Sequence, residues 1–258
     1  MLLKDKRVLI TGATRGIGRA TALSCAAQGA DIGINSFQDD AMAESLIYEI
    51  KQLGRRAFYC EGDVANPQSA TDFIHAAVQH FGGLDVFVSN AGICPFHSFL
   101  DMPVDILQRT TNVNFLGTYT MCQAAAQQMV KQGRDAQGRG GSIIAISSIS
   151  ALVGGELQTH YTPTKAGVHS LMQSCAIALG QFGIRCNSVM PGTVLTDINK
   201  DDLSDPQKRA HLEKRIPLGR FGESKDIANV VVFLASDLAD YVTGASVLAD
   251  GGMFVNLQ

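Results

Sequence analysis

Near the start of the chain, residues 8–18 read VLITGATRGIG. The apolar run Val8–Thr11 is typical of a buried strand, and a helical pattern follows the turn. Three glycines, Gly12, Gly16 and Gly18, therefore fall between a strand and a helix. Glycine lets the backbone approach a phosphate at a helix N-terminus, so this stretch predicts a turn that binds a dinucleotide.

The rest of the chain repeats this order of a short apolar run followed by a helical pattern. The predicted strands are 8–11, 30–35, 57–60, 84–89, 142–147, 184–189 and 246–249. The predicted helices are 16–28, 41–53, 67–81, 111–131, 159–181 and 224–236. Parallel strands need crossovers of a dozen or more residues, which these helices supply. The sequence thus predicts a single α/β domain, residues 1–258, with a doubly wound (Rossmann-type) parallel seven-stranded sheet and helices on both faces.

The composition of the 258-residue chain excludes several classes of protein. Apolar residues make up 46% and charged residues 17%, which favours a large buried core over disorder. The formal net charge of −3 leaves no broad basic field, so no nucleic-acid partner is expected. The longest apolar run, 227–235, is far short of the ~20 residues of a membrane span, so no membrane partner is expected.

Six cysteines are scattered singly through apolar segments, and no charged-then-apolar leader precedes the first strand. This usage favours a reduced, cytoplasmic protein over a disulfide-linked secreted one. Cys94 and His97 have a spacing found among metal ligands, but no second ligand pair accompanies them. No metal site is therefore expected.

The glycine spacing T-G-x-x-x-G-x-G at residues 11–18 resembles that of the short-chain dehydrogenase/reductase family, and the resemblance covers essentially the whole chain. Later motifs add to it: Asp63-Val64 follows the third strand, Asn90-Ala91-Gly92 ends the fourth, and Pro191-Gly192-Thr193 follows the sixth. In the family these elements contact the adenine ring, end a strand and border the nicotinamide. The resemblance implies that NAD or NADP is bound by Gly12, Thr14, Arg15, Gly16, Ile17, Gly18, Ser36, Asp63, Val64, Asn90, Ala91, Gly92, Tyr161, Lys165, Pro191, Gly192, Thr193, Val194 and Thr196.

The end of the second strand bears on the choice between the two cofactors. An acid there binds the ribose 2′-hydroxyl and repels a 2′-phosphate. Residues 34–40 read INSFQDD, with no acid before Asp39. Arg15, inside the glycine turn, could pair with a 2′-phosphate. These two features favour NADP, and use of both cofactors stays open.

Tyr161 and Lys165 are four residues apart, so they lie on one face of a helix. An ammonium beside a phenol stabilises the phenolate, so Lys165 is expected to lower the pKa of Tyr161. Pro163 lies between them and fits only if the helix begins near Tyr161. That start places Tyr161 near the carboxyl ends of the strands, where ligands of open α/β sheets bind.

Two further residues match the catalytic set of the family. Ser148 ends the fifth strand and matches the serine that hydrogen-bonds the reacting oxygen. Asn114, in the sequence NVNF at 112–115, matches the asparagine that supports a water-linked proton path from the lysine. The resemblance implies hydride transfer in which Tyr161 exchanges the hydroxyl proton and Lys165 tunes it and binds the nicotinamide ribose. A serine hydrolase is disfavoured, because no G-x-S-x-G elbow occurs.

Residues 194–215 are expected to form a substrate lid, and their polar character suits a hydroxylated ligand. Four segments, 90–100, 147–155, 158–165 and 251–258, resemble the sugar 1-dehydrogenases of this family, in particular those that act on L-rhamnose. The resemblance implies oxidation of an aldose at C1 to the lactone. The expected contacts to this small-molecule substrate are Ser148, Ser150, Gln158, Tyr161, Thr193 and Asn199.

Two other functions stay open. A broad-scope, NADPH-dependent carbonyl or 3-oxoacyl reductase would run the same chemistry in reverse. A non-catalytic protein that senses a dinucleotide would bind without turnover, but the intact Asn-Ser-Tyr-Lys set argues against it. The resemblance also implies a homotetramer, for which the apolar helix 227–235 and the exposed edge of the strand 246–249 are the candidate surfaces.

Overall fold

The computed structural model describes residues 1–199 and 203–256, so residues 200–202 of the expected lid and the last two residues lie outside the described residues. Within them, seven strands form one parallel sheet in the order β3-β2-β1-β4-β5-β6-β7. The strands are β1 (Arg7–Thr11), β2 (Asp31–Ser36), β3 (Ala57–Glu61), β4 (Val86–Ser89), β5 (Gly141–Ile146), β6 (Ile184–Pro191) and β7 (Ser246–Ala249). The predicted doubly wound seven-stranded sheet in a single domain is confirmed.

Helices cover both faces of this sheet. They are α1 (Gly16–Ala27), α2 (Asp40–Gln52), α3 (Pro67–Phe81), α4 (Val104–Thr111), α5 (Thr118–Gln132), α6 (Thr162–Leu179), α7 (Pro206–Lys214) and α8 (Ser224–Ala235). One face carries α1 packed between α2 and α8, and the other carries α5 packed between α3 and α6. In the part of the chain that the structure describes, no helix has the length and apolar character to cross a membrane.

The alternation of side chains along β1 shows how the sheet joins two cores. Val8 and Ile10 lie in the apolar cluster under α1, α2 and α8, whereas Leu9 lies in the cluster under α3, α5 and α6. All three side chains are fully buried. A strand that is apolar on both faces belongs in a parallel sheet covered on both sides, as the sequence predicts.

The predicted helix at 111–131 differs from the structure. Helix α4 already begins at Val104, a π-helical stretch runs over Asn112–Gly117, and α5 continues to Gln132. Helix α4 spans only eight residues, and its apolar side chains Val104 and Leu107 are exposed, whereas Thr110 is buried. A short helix whose apolar side chains stay outside the core is easily missed in a sequence.

The predicted helix at 159–181 is also shorter in the structure. Tyr161 precedes the first residue of α6, and Pro163 lies in the first turn, where its missing N–H removes no helical hydrogen bond. A short 3₁₀ turn, Gly180–Phe182, follows α6 and ends at Gly183, whose φ of 72° is left-handed. The position of Tyr161 at the helix start agrees with the sequence prediction.

Candidate active site

A cleft of about 500 Å³ opens where the carboxyl ends of the central strands meet. Its lining includes these residues of the predicted site: Gly12, Thr14, Arg15, Gly16, Ile17, Ser36, Asp63, Val64, Asn90, Ala91, Gly92, Ser148, Tyr161, Lys165, Pro191, Gly192, Val194, Thr196 and Asn199. Within the described residues, the lining does not include Gly18, Asn114, Ser150, Gln158 or Thr193. The position matches the place where open parallel sheets bind ligands.

The glycine turn after β1 is held in shape by Asn90. The Asn90 Nδ2 atom donates to the carbonyl oxygens of Thr11 and Gly12, at 3.0 and 2.9 Å. A Cβ atom on Gly18 would lie 2.2 Å from the Gly12 oxygen and 2.6 Å from Asn90 Nδ2. Gly18 and Asn90 therefore shape the turn, and Gly18 does so without lining the cleft itself.

Replacing Gly18 with alanine should weaken dinucleotide binding by about tenfold or more, because overpacking of about 1–3 kcal/mol must be relieved by moving the turn. Fluorescence titration with NADPH and thermal melting measure the two effects. Gly180→Ala is the matched control, since its Cβ would meet no described atom within 4 Å apart from its chain neighbours and nearby helix backbone, and its φ of −56° suits any residue. Equal binding by the Gly18 variant and wild type would contradict this account of the turn.

Arg109 and Asp63 form an ion pair at one end of the cleft. Arg109 Nη1 lies 2.6 Å from Asp63 Oδ2, and the guanidinium lies 6.0 Å from the centre of the Phe37 ring. Asp63 Oδ1 accepts a hydrogen bond from the Ala65 N–H at 3.0 Å. Beside the apolar Val64, these groups form a flat, partly charged wall suited to an aromatic base.

Sequence reasoning missed several residues of the lining. They are Asn35, Phe37, Asp39, Gly62, Ile93, Arg109, Val113, Ile146, Ser147, Asp197 and Ile198. Most follow a strand end or a predicted motif by one to three residues, so proximity to those motifs was the available signal. Arg109 had no such signal, because it lies on α4, a short helix that the sequence did not lead us to predict.

Ser148, Tyr161 and Lys165 meet in the cleft. The Ser148 side chain lies close enough to the Tyr161 hydroxyl to lower its pKa. Lys165 Nζ lies 5.6 Å from the centre of the Tyr161 ring and donates to the Ile146 carbonyl at 2.8 Å. The Ser148 oxygen also accepts from the Ser150 N–H at 3.0 Å. The Ser148 hydroxyl, the Tyr161 phenol and the Lys165 ammonium therefore lie close together in the cleft.

Asn114 lies in the π-helical stretch behind these groups and is fully buried. Its side chain exchanges two hydrogen bonds with Ile93, at 2.8 Å to the N–H and 2.9 Å to the carbonyl. A Cβ on Gly92 would lie 3.4 Å from both Asn114 Oδ1 and Lys165 Nζ. Asn114 and Lys165 therefore both border the space that a side chain at Gly92 would occupy. π-Helical turns often occur at functional sites.

The pKa values of Tyr161 and Lys165 both respond to removal from water. Desolvation raises the pKa of the Tyr161 hydroxyl above its usual value, and the Ser148 hydrogen bond lowers it in part. Desolvation lowers the pKa of Lys165 to about 8, with the Cys94 thiol acting in the opposite direction. The pKa of Tyr161 is thus raised in this structure, not lowered as the sequence predicted, and desolvation is the largest cause. Lys165 itself stays mostly protonated at neutral pH.

The side chains predicted to contact the substrate have different partners in the structure. Ser150 and Gln158 face each other, with 3.4 Å between the hydroxyl and the Gln158 Oε1. Thr193 lies beside Met253, 3.7 Å from its sulfur. Asn199 uses both amide atoms within the loop, since Nδ2 donates to the Val194 carbonyl at 2.8 Å and Oδ1 accepts from the Thr196 N–H at 3.1 Å. In residues 1–199 and 203–256, no group of three or more His, Cys, Asp or Glu side chains could hold a metal ion.

The comparison with known proteins extends these observations. A family model described as enoyl-(acyl carrier protein) reductase matches residues 12–254. The L-rhamnose 1-dehydrogenase (NAD(P)(+)) of Sphingomonas sp. strain SKA58 is 65% identical over all of this chain and 99% of its own. The enzyme of the same name from Azotobacter vinelandii is 59% identical over the full length of both chains. Among solved structures, a short-chain dehydrogenase from Burkholderia cenocepacia J2315 in complex with NADP is 32% identical, with a TM-score of 0.90 over 98% of this chain and 99% of its own.

Proposed function

Because the chain belongs to the short-chain dehydrogenase/reductase family, we propose that it is an NAD(P)-dependent sugar dehydrogenase that oxidises L-rhamnose at C1 to the lactone. The observation that carries the proposal is the meeting of Ser148, Tyr161 and Lys165 in the cleft. An alcohol at this point finds a hydroxyl to orient its oxygen and a phenol to exchange its proton. The L-rhamnose relatives match the chain from end to end, which supports the substrate.

The residues of the cleft fit a nicotinamide dinucleotide. The cleft has a volume of about 500 Å³. Sites that bind small molecules span roughly 300–1,000 Å³, so the cleft is of suitable size. Gly16 and Ile17, the first residues of α1, line the cleft, so their backbone N–H groups suit a pyrophosphate. The predicted cofactor residues are proposed to hold the dinucleotide, with Gly18 shaping the turn from behind. When bound, the nicotinamide supplies the acceptor for the hydride.

The proton of the C1 hydroxyl is assigned to Tyr161. The Ser148 hydrogen bond and the charge of Lys165 favour the phenolate, whereas desolvation opposes it. An ammonium has three donors, and Lys165 gives one to the Ile146 carbonyl, which leaves two for a ribose hydroxyl and for water near Asn114. Asn114 is proposed to hold that water path, because its side chain is fixed by Ile93 beside Lys165.

The remaining sugar hydroxyls are proposed to contact Ser150, Gln158, Thr193 and Asn199. The facing side chains of Ser150 and Gln158 support a shared polar contact, since a sugar hydroxyl can both donate and accept. Both amide atoms of Asn199 are already bonded to residues 194 and 196. To contact the substrate, Asn199 must either share these atoms or give up one of the two hydrogen bonds. Residues 194–215 are proposed as the lid above them.

The substrate is tested by an activity screen in both directions. We expect NAD(P)H formation with L-rhamnose, weaker rates with related 6-deoxy and pentose sugars, and lactone as the product. Rapid NADPH oxidation with 3-oxoacyl substrates or ketones, together with no sugar oxidation, would replace this proposal by the reductase. Saturable cofactor binding without turnover of any substrate would indicate a sensing protein.

A homotetramer is proposed on narrower grounds than the sequence suggested. Most of the apolar run in α8 is buried against α1, including Ile227, Val231 and Leu234, so the run itself is explained by packing. What supports assembly is the open edge of β7 and the exposed Phe233 of α8. Light scattering gives the mass, and a monomer at micromolar concentration contradicts the proposal. A cytoplasmic location is also proposed, since the six cysteines, all within the described residues, form no disulfide, and cell fractionation tests it.

A further inference from the structure

The turn after β2 carries an acidic side chain into the cleft. Gln38 adopts a left-handed φ of 53°, and Asp39 follows it directly before α2. The Asp39 side chain is 15% exposed and lines the cleft, although it lies three residues beyond the end of β2. The last residues of β2 include no acid, but the fold brings the Asp39 carboxylate into the cleft near the end of that strand.

The Asp39 carboxylate holds the two polar side chains of the glycine turn. Among the described residues, its Oδ2 accepts from Thr14 Oγ1 at 2.5 Å and from Arg15 Nε and Nη2 at 3.2 and 2.8 Å. Partial burial raises the pKa of Asp39, but the hydrogen bonds from Thr14 and Arg15 together lower it by more. The pKa of Asp39 therefore lies below its ordinary value. The carboxylate is therefore ionised at neutral pH.

These contacts matter because Arg15 is the cation that the sequence assigned to a 2′-phosphate. A phosphate monoester carries a charge of about −1.5 to −2 at neutral pH. Around Arg15 the structure places the carboxylates of Asp39, at 2.8 Å, and Asp197, at 3.9 Å. A 2′-phosphate must therefore draw Arg15 away from Asp39 or lie beside a carboxylate of the same sign. A ribose 2′-hydroxyl faces neither requirement and can donate to the carboxylate.

We propose that Asp39 is the residue that sets the balance between NAD and NADP, because its carboxylate competes with the 2′-phosphate for Arg15 and Thr14. With a 2′-hydroxyl present, Asp39 keeps its contact to Arg15. With a 2′-phosphate present, Arg15 leaves Asp39 and pairs with the phosphate, for which its forked donors are suited. The inference rests on the proposed function, since it requires a nicotinamide dinucleotide in the cleft.

Calorimetric titration with two cofactor fragments, 5′-AMP and 2′,5′-ADP, tests the inference without turnover. In Asp39→Asn we expect 2′,5′-ADP to bind about tenfold more tightly, a change typical of one hydrogen bond to a charged group, while 5′-AMP binds nearly as in wild type. The ratio of kcat/KM for NADP over that for NAD should rise by a similar factor. Asparagine keeps an oxygen that accepts from Thr14, and thermal melting checks that the fold is retained.

Asp40→Asn is the matched control. Asp40 is the next residue and carries the same charge, but its carboxylate accepts from the Tyr59 hydroxyl at 2.8 Å, and Asp40 is not among the described residues that line the cleft. A tenfold gain in Asp39→Asn with little change in Asp40→Asn supports a direct contact, and equal changes in both variants overturn it. Asp39→Ser, which also removes the charge, repeats the comparison if the asparagine variant melts early. Failure of wild type to bind either fragment would overturn the proposed cofactor site instead.

Discussion

Replacing Tyr161 with phenylalanine should lower turnover by about 10²- to 10⁴-fold, the usual contribution of a positioned acid or base. The change removes the phenol oxygen, whose pKa the Ser148 side chain lowers, but keeps the ring that lies near the Lys165 ammonium. Cofactor binding should therefore stay within a few-fold of wild type. Steady-state rates with L-rhamnose and a fluorescence titration with NADPH measure the two quantities separately.

Tyr119→Phe is the control for this variant, because it makes the same chemical change on an exposed part of α5. It should leave both rate and binding unchanged. Near-normal turnover in Tyr161→Phe, with cofactor binding retained, would remove Tyr161 from the proton transfer.

Replacing Lys165 with methionine should abolish most activity and at the same time stabilise the protein at pH 7. Lys165 is 4% exposed, and burial lowers its pKa from 10.5 to about 8. One pKa unit corresponds to 1.36 kcal/mol, so holding this charge in the folded protein costs about 3 kcal/mol. The variant escapes this cost but loses the hydrogen bond to the Ile146 carbonyl, which reduces its net gain in stability. Methionine fills similar volume without a charge.

The pH dependence of stability identifies the cause. The folded pKa lies below the unfolded one, so between about pH 8 and 10.5 the unfolded chain binds more protons, and wild-type stability rises with pH. The cost is fully present below pH 8 and disappears above 10.5. In urea unfolding, the variant should have the larger free energy of unfolding at pH 7, and the two proteins should have nearly equal values near pH 10.5. Lys131→Met, an exposed lysine of α5, should show no such trend. Equal stability of wild type and Lys165→Met at pH 7 would contradict a buried charge.

What could be predicted from the sequence was governed by local patterns. The strands of the sheet are short apolar runs, and the turn at Gly12–Gly18 is a local motif, so fold, cofactor class and family all followed from them. Helix α4 was missed because it is only eight residues long and its apolar Val104 and Leu107 are exposed instead of packing in the core. Arg109 was therefore missed as well, because it lies on α4 and pairs with Asp63 only in the folded protein.

Electrostatic properties of the site depended on non-local contacts and were harder to predict. The spacing correctly placed Tyr161 at the start of α6 and Lys165 in its first turn, but it carried no information on desolvation, which is the largest cause of both pKa shifts. In the same way, Asp39 was counted as too far from the strand end to matter. The left-handed Gln38 brings it back to Arg15, and such a turn has no signature in the sequence.

The order of the strands also affects how the protein is made on the ribosome. β1 lies between β2, which follows it closely, and β4, with Val8 paired to Val86. Until residue 86 has left the exit tunnel, one edge of β1 has no partner and stays open to other chains. The glycine turn at the end of β1 is synthesised early but receives Asn90 only when β4 docks. The nascent chain therefore passes through a long interval with an exposed strand edge, during which chaperones would be expected to bind it.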